Sequence, residues 1–353
     1  MSSFDEKTRP KVTLIDVARR AGVGTATVDR VLNERENVSD TARKKVLAAA
    51  RELGLKRILP TSHHRLVRIE VLLARPELPL ITRISDEFKR LASRLDRTVL
   101  IQRTFLPDES PGTLASALLK TRCHGVVVYA QDHPLINDAI ENLHYRGVKV
   151  VTMISDLPSS RRVAYAGMNH YQAGRTAGSL IAKMIRHKGP LVILCNHQGF
   201  QSHESRIRGV KDYLENNAPD ITVACIVEGG DNRDLSDIRL REAFHQHRDT
   251  VAVYNVGAAN LGVAAAIKAD ILYQRPVFLG HELTRYTAQL LREGTMTLTI
   301  DQVPELQSRF AISVLLRELD FADEHSPEPP YKSPVPSVLY VAENIPEGFD
   351  PDL

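Results

Sequence analysis

The feature that constrains the fold most is a series of short β-branched runs that alternate with amphipathic segments from residue 67 onward. They occupy residues 67–73, 98–102, 124–130, 148–154, 164–168, 191–195, 222–227, 251–256, 276–280 and 297–301. Strand, helix and strand in repeated order predict parallel sheets with helices on both faces. Ten strands exceed the usual size of one sheet, about 4–6 strands. The pattern therefore predicts two sheets and a two-lobed α/β body.

The break between the two sheets is expected near residues 163–169, so that a helix at residues 170–187 begins the second lobe. A last strand is expected near residues 335–341, in a proline-rich tail. Open α/β sheets bind ligands beyond the carboxyl ends of their strands, and two lobes turn these ends towards a shared cleft. Polar loops follow several predicted strands, at residues 131–133, 196–200, 255, 281–282 and 301–302. Such loops suit a small hydroxyl-bearing ligand whose donors and acceptors are all paired.

Residues 13–33 follow a different period. Apolar residues recur at helical spacing on both sides of residues 22–24, a tight turn that contains two glycines. Thr13 and Asp16 fit a capping box that begins the first helix, and Gly24 is tolerated as the N-cap of the second. The pair is a helix-turn-helix, a motif whose second helix enters the major groove of DNA.

A third helix is predicted from Ser39 to about residue 53, with Gly54 as its stop. The residues that follow hold Pro60, basic residues at both ends and no sustained period, as is typical of a linker. We therefore expect an all-α helix-turn-helix DNA-binding domain at residues 1–55 and a linker or hinge at residues 56–66. Residues 67–353 are expected to form a two-lobed effector-binding and dimerisation domain.

The charge distribution separates the same two parts of the chain. Residues 1–65 contain 14 Lys and Arg against 8 Asp and Glu, whereas residues 66–353 contain 32 against 35. The basic end is the expected polyanion-binding end. The first eleven residues lack the apolar core of a secretory signal, and no apolar run is long enough to span a bilayer. We therefore expect a cytoplasmic protein without a membrane partner, and its three widely spaced cysteines suit a reducing compartment.

Residues 13–33 closely resemble the N-terminal motif of the lactose-repressor (LacI) family of bacterial transcription regulators. The body supports this resemblance, because residues 148–182 look like the family's inter-lobe segment. Residues 204–214 are similar to its helix start of the form Arg-x-x-Gly. The resemblance covers nearly the whole chain and implies a type I periplasmic-binding-protein fold, with parallel sheets, behind the helical head.

The resemblance implies which side chains meet DNA. Family positions that face base edges match Thr25, Ala26 and Arg30, and positions that touch the DNA backbone or brace the motif match Thr27 and Asn33. Arg30 is the principal candidate for reading sequence, because a guanidinium can bridge two acceptors on guanine. The alternative for Arg30 is a contact to phosphate alone.

The chain departs from the family in two places, the second helix of the motif and the linker. Gly24 and Asp29 stand where the family commonly has serine, and a carboxylate facing phosphates would be repelled. Asp29 would instead pair with a neighbouring arginine or accept from a cytosine amino group. The linker also lacks the family's usual Pro-Asn-x-x-Ala-Arg hinge, which leaves Leu59 and Pro60 as the candidate wedges for the minor groove.

Six residues are expected to line the effector cleft, and they are Asp132, Phe200, Arg206, Asn255, Glu282 and Gln302. Arg206 matches the family's effector-contacting arginine, although it could be a structural arginine that pairs across a helix start. Asn255 and Glu282 match polar positions that hold hydroxyls in sugar-binding members, and Glu282 stands where aspartate is usual. Asp132 and Gln302 match similar positions in related binding proteins. Phe200 could stack on a sugar ring or belong to the core.

The residues exclude several classes of protein. The chain has no phosphate-binding glycine loop, no convincing nucleophile with its base and no metal-ligand spacing. No catalysis, no cofactor and no metal are therefore expected. The expected function is that of a repressor, a transcription regulator that binds a near-palindromic DNA operator as a homodimer. A small polar effector such as a monosaccharide or polyol would control it. The alternative is a sugar-binding protein of transport type without a role on DNA.

Overall fold

The computed structural model describes residues 12–33, 38–53, 55, 66–185, 187–197, 199–321, 334–347 and 349. The chain divides into two compact units, and the boundary between them in the sequence falls between Leu66 and Val67. The expected hinge residues Leu59 and Pro60, and Gly54, lie outside the described residues. No helix in the described part of the chain is long and apolar enough to cross a membrane.

Three short helices form the smaller unit, the head. They are α1 (Leu14–Ala21), α2 (Thr25–Leu32) and α3 (Asp40–Glu52). The expected capping box begins α1, because Thr13 N donates to Asp16 Oδ2 at 2.9 Å and Asp16 N donates to Thr13 Oγ1 at 3.3 Å. Gly22 ends α1 with φ +66°, a conformation that glycine adopts without strain. Gly24 is the N-cap of α2, so the helix-turn-helix predicted from the sequence is confirmed.

The first lobe of the larger unit is a five-stranded parallel sheet with the strand order β2-β1-β3-β4-β5. Its strands are β1 (Val67–Ala74), β2 (Val99–Leu106), β3 (Gly125–Val128), β4 (Lys149–Met153) and β5 (Ala164–Ala166). Its helices are α4 (Pro79–Arg94), α5 (Pro111–Lys120) and α6 (Pro134–Tyr145). Nearly every side chain of β1 is buried, and all of β3 is, as expected for strands covered on both faces.

The second lobe is a six-stranded sheet with the order β11-β10-β9-β8-β6-β7. Its strands are β6 (Leu191–Cys195), β7 (Val223–Glu228), β8 (Ala252–Asn255), β9 (Val277–His281), β10 (Leu298–Asp301) and the antiparallel β11 (Val338–Tyr340). Its helices are α7 (His170–Met184), α8 (Gln201–Asn217), α9 (Arg233–Gln246), α10 (Asn260–Lys268) and α11 (Arg285–Arg292), followed near the end by a 3₁₀ turn, Ala342–Asn344. The first sheet ends at β5 and α7 begins the second lobe, at the position the sequence predicts.

One helix leaves the lobe in which the chain order would place it. Helix α12 (Pro304–Glu318) follows β10 of the second sheet but packs against β4, β5 and α4 of the first lobe. Its buried residues Ala311, Ile312 and Leu315 belong to the first lobe's core. The chain then returns to the second sheet as β11. The lobes are therefore joined by several crossings of the chain.

Candidate functional site

The exposed face of α2 carries side chains that the sequence assigns to DNA. Thr25, Ala26 and Arg30 are exposed and Thr27 is half-buried, while the opposite face of the helix lies in the core of the head. Asn33, also exposed, is the C-cap of the helix. The head thus presents a short polar helix face with one guanidinium, and contact of these five residues with DNA stays a prediction.

Asp29 and Asn33 are joined at the end of α2. The Asn33 amide donates to Asp29 Oδ1 at 2.7 Å and to the Asp29 carbonyl at 3.0 Å. Asn33 therefore braces the helix, which is one of the two roles that the family resemblance allows. The same contact turns one oxygen of the Asp29 carboxylate towards a donor within the protein.

Two aromatic rings meet between the lobes of the larger unit. Tyr129, which follows β3, stacks on Phe200, which precedes α8, with 5.2 Å between the ring centroids. Nearby, Ser202 N at the start of α8 donates to Ser155 Oγ at 3.1 Å. The lobes are thus in direct contact, and Phe200 packs on a ring of the protein. Its stacking on a ligand ring stays a prediction.

A cluster of four charged side chains, one arginine and three carboxylates, joins the two lobes. Arg83 of α4 donates to Asp301 Oδ2 at 2.6 Å, to Glu305 Oε1 at 2.9 Å and to Glu282 Oε2 at 3.4 Å. Asp301 and Glu282 are almost fully buried. Burial disfavours the Arg83 charge, but the carboxylates outweigh burial and raise the pKa of Arg83. One cation of the first lobe therefore holds carboxylates at the ends of β9 and β10 and at the start of α12.

A second polar contact crosses between the lobes after β1. Arg75 Nη1 donates to Glu109 Oε1 at 3.3 Å, within the first lobe, and to the carbonyl of Gly230, in the second lobe, at 3.2 Å. Asn196 of the second lobe donates to the same Glu109 oxygen at 3.4 Å. Asp231 lies beside this group and accepts from a backbone N–H at 2.7 Å. Burial, with a smaller contribution from Glu109, raises the pKa of Asp231 to about 6.

Backbone strain concentrates at the strand ends that face the cleft. Non-glycine residues in the left-handed region follow β1, β4, β7, β9 and β10, and they are Arg75 (φ 58°), Ile154 (66°), Asp231 (47°), Glu282 (72°) and Val303 (50°). Such a conformation costs roughly 1–3 kcal/mol per residue. The strained Glu282 is fixed by its carbonyl, which accepts from Thr287 Oγ1 at 2.7 Å and from Thr299 Oγ1 at 3.1 Å. Strain held in this way is typical of functional loops.

Arg206 is a buried cation of the second lobe. Its side chain projects from α8, its Nη1 donates to the Val256 carbonyl at 2.7 Å, and its Nε donates to His170 Nδ1 at 3.2 Å. The residue is 3% exposed. None of the ion pairs between residues described in the structure includes Arg206. Its partner His170 is the first residue of α7, so a structural role across a helix start and contact with an effector both stay predictions for Arg206.

Three neutral imidazoles surround this guanidinium. Because a carbonyl can only accept, the contact of His170 Nε2 with the Ile154 carbonyl places the proton on Nε2 and leaves Nδ1 to accept from Arg206. His203 and His281 are also buried, and burial followed by the charge of Arg206 lowers the pKa of all three imidazoles. The cluster holds no metal site, since no group of His, Cys, Asp and Glu among the described residues is arranged for one.

The remaining predicted cleft residues lie at three separate places. Glu282 and Gln302 are in contact, because Gln302 Nε2 donates to Glu282 Oε1. Asn255 is fully buried, and its amide bonds to Asn260 Oδ1 at 2.8 Å and accepts from Gly257 N at 3.0 Å. Asp132 lies in the first lobe and accepts from Asn137 at 2.8 Å and from Ser159 at 3.2 Å, whereas the other five belong to the second lobe. Ligand contact of each residue stays a prediction.

Sequence reasoning missed several residues of this region, and they are Arg75, Arg83, Tyr129 and His170. Tyr129 lies within the predicted strand run 124–130, two positions before the polar loop at residues 131–133, and so gives no signal of its own. Arg83 lies on a helix whose pattern gives no hint of a partner in the other lobe. The three buried histidines sit at the start of α7, inside α8 and at the end of β9, and no spacing connects them.

The buried Glu282 predicts a pH dependence of stability. Burial, and then the neighbouring Asp301, raise the pKa of Glu282 from its ordinary 4.5 to about 8, against the opposing charges of Arg83 and Arg206. Between these two pKa values the folded chain keeps a proton that the unfolded chain has released. The free energy of unfolding therefore falls as pH rises from 4.5 to about 8. The free energy of urea unfolding should decrease from pH 7 to pH 8 in the wild type and stay flatter in Glu282→Gln.

The matched control for this measurement is Glu293→Gln. Glu293 is exposed and its pKa is lowered, by a side-chain hydrogen bond from Gln289 first, so it is already ionised throughout the interval. Its variant should show the wild-type decrease. An unchanged decrease in Glu282→Gln would assign the pH dependence to another group.

Both units match families of known proteins. A model described as bacterial regulatory proteins, lacI family, matches residues 13–57, and a model of the periplasmic binding protein domain matches residues 82–323. The HTH-type transcriptional repressor PurR of Edwardsiella ictaluri is 24% identical over 267 residues, 73% of this chain and 75% of that protein. The HTH-type transcriptional regulator GalR of Salmonella typhimurium is 25% identical over 264 residues, 71% of this chain and 74% of that protein.

A solved structure matches the larger unit. The glucose-galactose binding protein GanP of Geobacillus stearothermophilus superimposes with a TM-score of 0.70 at 19% identity, covering 79% of this chain and 99% of that one. At this identity the likeness concerns the fold. The two-lobed α/β architecture with parallel sheets that the sequence predicts behind the helical head is therefore confirmed.

Proposed function

The chain belongs to the lacI family of bacterial regulatory proteins and carries a periplasmic binding protein domain, and we propose that it represses transcription under the control of a small polar effector. It is a DNA-binding transcription regulator, as the resemblance of residues 13–33 predicts. The observation that carries the proposal is the exposed face of α2, with Arg30, joined in one chain to a two-lobed body. Its place of action is the cytoplasm, where its DNA partner is found.

The proposed effector site lies between the lobes, on the side of the second sheet where the strands end. Gln302, which follows β10, bonds to Glu282, which follows β9, and the charge of Arg206 on α8 acts on Glu282; all three residues are buried. A monosaccharide or polyol suits these groups, and GanP, which has the same fold, is a glucose-galactose binding protein. The proposed action is binding without catalysis, in keeping with relatives that are regulators.

We propose a homodimer on a near-palindromic operator. One recognition helix reads only a few base pairs, and a twofold axis places two such helices on half-sites about one helical turn apart. Strand β2 is an edge strand of its sheet, and Leu100 and Phe105 on it are about half exposed. An edge strand with exposed apolar side chains favours pairing with a second copy. This face of residues 67–353 is therefore the proposed dimer interface.

A transport-type sugar-binding protein is the second candidate function. The likeness of the larger unit to GanP favours it. The head disfavours it, because a three-helix unit that matches a family of regulatory proteins has no use in a carrier of sugars. Specific binding of an operator by the full chain would favour the transcription regulator over the transport-type protein.

Arg30 is the residue whose replacement tests DNA recognition. We expect Arg30→Ala to lower operator affinity and to relax the preference at one base pair of each half-site by about 1–3 kcal/mol, because a bidentate contact to guanine is lost. Arg30→Lys is the matched control, since it keeps the charge but not the fork of donors. Footprinting and a titration of binding against salt concentration measure both effects.

The two variants separate base reading from phosphate contact. If Arg30 reads a base, Arg30→Lys keeps the salt dependence of binding and loses the base preference. If both variants retain the wild-type base preference, Arg30 contacts only phosphate and base reading belongs to other positions.

A further inference from the structure

The environment of Arg206 contains charge and hydrogen-bonding capacity that the protein itself does not use. The guanidinium is buried, its Nη2 donates to the Met168 sulfur at 4.0 Å and to no oxygen or nitrogen of the described residues, and no ion pair among these residues includes it. A buried cation without a counter-ion is unfavourable, because desolvation is not repaid by attraction to a negative charge. A ligand that brings one negative charge would provide that attraction.

Unpartnered polar atoms lie around this cation. The Nδ1 atoms of His203 and His281 are buried without a hydrogen-bond partner in the structure, and so is Oε1 of Gln302. His203 stands three positions before Arg206 on α8, and His281 directly precedes Glu282. Each of these neutral imidazoles donates its one N–H to a backbone carbonyl, His203 to that of His197 and His281 to that of Ile300. Each unpartnered Nδ1, like the amide oxygen of Gln302, therefore accepts from a hydroxyl. The site combines a cation without an ion pair with three acceptors for hydroxyl groups.

We propose that the effector is a polyhydroxy carboxylate, of the sugar-acid class, whose carboxylate pairs with Arg206 and whose hydroxyl groups donate to the buried imidazoles. This inference rests on the proposed function, since it names the chemical class of the effector for the site between the lobes. Hydroxyl groups of the ligand donate to Gln302 Oε1 and bond to the carboxyl of Glu282.

The remaining charges of the site favour a carboxylate over a neutral sugar or a phosphate. A neutral sugar leaves the Arg206 charge unmatched. A phosphate ester carries about two charges near pH 7, and Arg83, the other guanidinium whose charge acts on Glu282, is already held by Asp301, Glu282 and Glu305. A single carboxylate matches the charge of Arg206, and Glu282 does not repel it while protonated.

The proposal predicts proton uptake on binding. An anion beside Glu282 favours its protonated form, so at pH 8, near the pKa of Glu282, the complex takes up a fraction of a proton. A neutral sugar causes no such uptake. The titratable and charged groups that surround Glu282 and Arg206 are Arg83, Tyr129, Tyr165, His170, His203, Tyr254, His281 and Asp301.

The test uses the full chain and isothermal titration calorimetry with matched probes. The probes are glucose, glucuronate, gluconate and glucose 6-phosphate, and galactose, galacturonate and galactose 6-phosphate. We expect at least one carboxylate to bind at least tenfold more tightly than its neutral and phosphorylated counterparts. Its binding enthalpy at pH 8 should differ between buffers of different ionisation enthalpy, and this difference should shrink in Glu282→Gln.

Arg206→Met provides the second arm, because methionine retains apolar volume without the charge. The variant should lose at least tenfold in affinity for the carboxylate, while its affinity for the neutral sugar changes by less than threefold. The buffer dependence of the wild type tests the proposal even if Arg206→Met does not fold.

Each other outcome overturns the inference. Binding of a neutral sugar as tightly as its acid, or tighter binding of a phosphate ester, leaves an effector-controlled regulator but removes the carboxylate. Binding of none of the probes removes the sugar-acid class. The regulator function fails on a different result, which is the absence of specific operator binding in footprints of the wild-type chain.

Discussion

Arg83→Met is expected to lower the free energy of unfolding of the larger unit by about 3 kcal/mol, near the lower end of the range for breaking a buried ion pair. The variant leaves the buried Asp301 without its partner at 2.6 Å, and Glu305 without its partner at 2.9 Å. Glu282 loses its cation as well, but it can remain protonated, which limits the loss. Urea unfolding followed by circular dichroism measures the effect, since the chain has no tryptophan.

The control is an arginine with similar geometry at the surface. Arg241 pairs with Asp237 within α9 through two hydrogen bonds, at 2.7 and 3.0 Å, and its side chain is 43% exposed. Arg241→Met should cost less than about 1 kcal/mol. Equal losses in the two variants would show that Arg83 contributes no more than a surface ion pair. An altered effector affinity in Arg83→Met alone would link this contact to the closure of the lobes.

The second large effect is expected from Gly174→Ala. Helices α7 and α8 cross at Gly174, where an added Cβ would lie 2.1 Å from the carbonyl oxygen of Arg206 and 2.9 Å from its Cα. Backbone atoms cannot rotate away as a side chain can, so the two helices must separate. We expect a loss of about 3 kcal/mol, at the upper end for overpacking. The shift of α8 should also displace Arg206 and weaken effector binding.

The matched control for this substitution is Gly112→Ala in the first turn of α5. A Cβ at Gly112 would meet nothing within 4 Å. The variant should be neutral or more stable by up to about 1 kcal/mol, because alanine is the better helix former. Urea unfolding and calorimetry with the tightest-binding probe measure both variants. Wild-type stability and binding in Gly174→Ala would show that the helices can separate there without cost.

Much of the fold could be predicted because strands and helices have periods that are visible along the chain. All ten β-branched runs contain a strand, and the capping residues Thr13 and Gly24 begin α1 and α2 as expected. The return of α12 to the first lobe could not be predicted. Its amphipathic pattern shows that one face is buried, but the pattern is the same whichever lobe covers that face.

The candidate site could also be predicted only in part from the sequence. The polar loops that follow the strands could be found from topology alone, and they contain Phe200, Glu282 and Gln302. The partners of those side chains could not be found. Phe200 stacks on Tyr129, which is 71 positions away by their numbers, and no local pattern encodes such a contact.

By itself the sequence determined the helix-turn-helix, the two sheets of the body and the family, because each depends on local periods, caps and short motifs. Only the tertiary structure decided which charges are matched. Arg83 meets Glu305 across 222 positions, whereas Arg206 is buried among neutral imidazoles. The physical reason is that the free energy of a buried charge depends on what surrounds it in space. Folding brings those groups together from α4, α7, α8, β9 and α12.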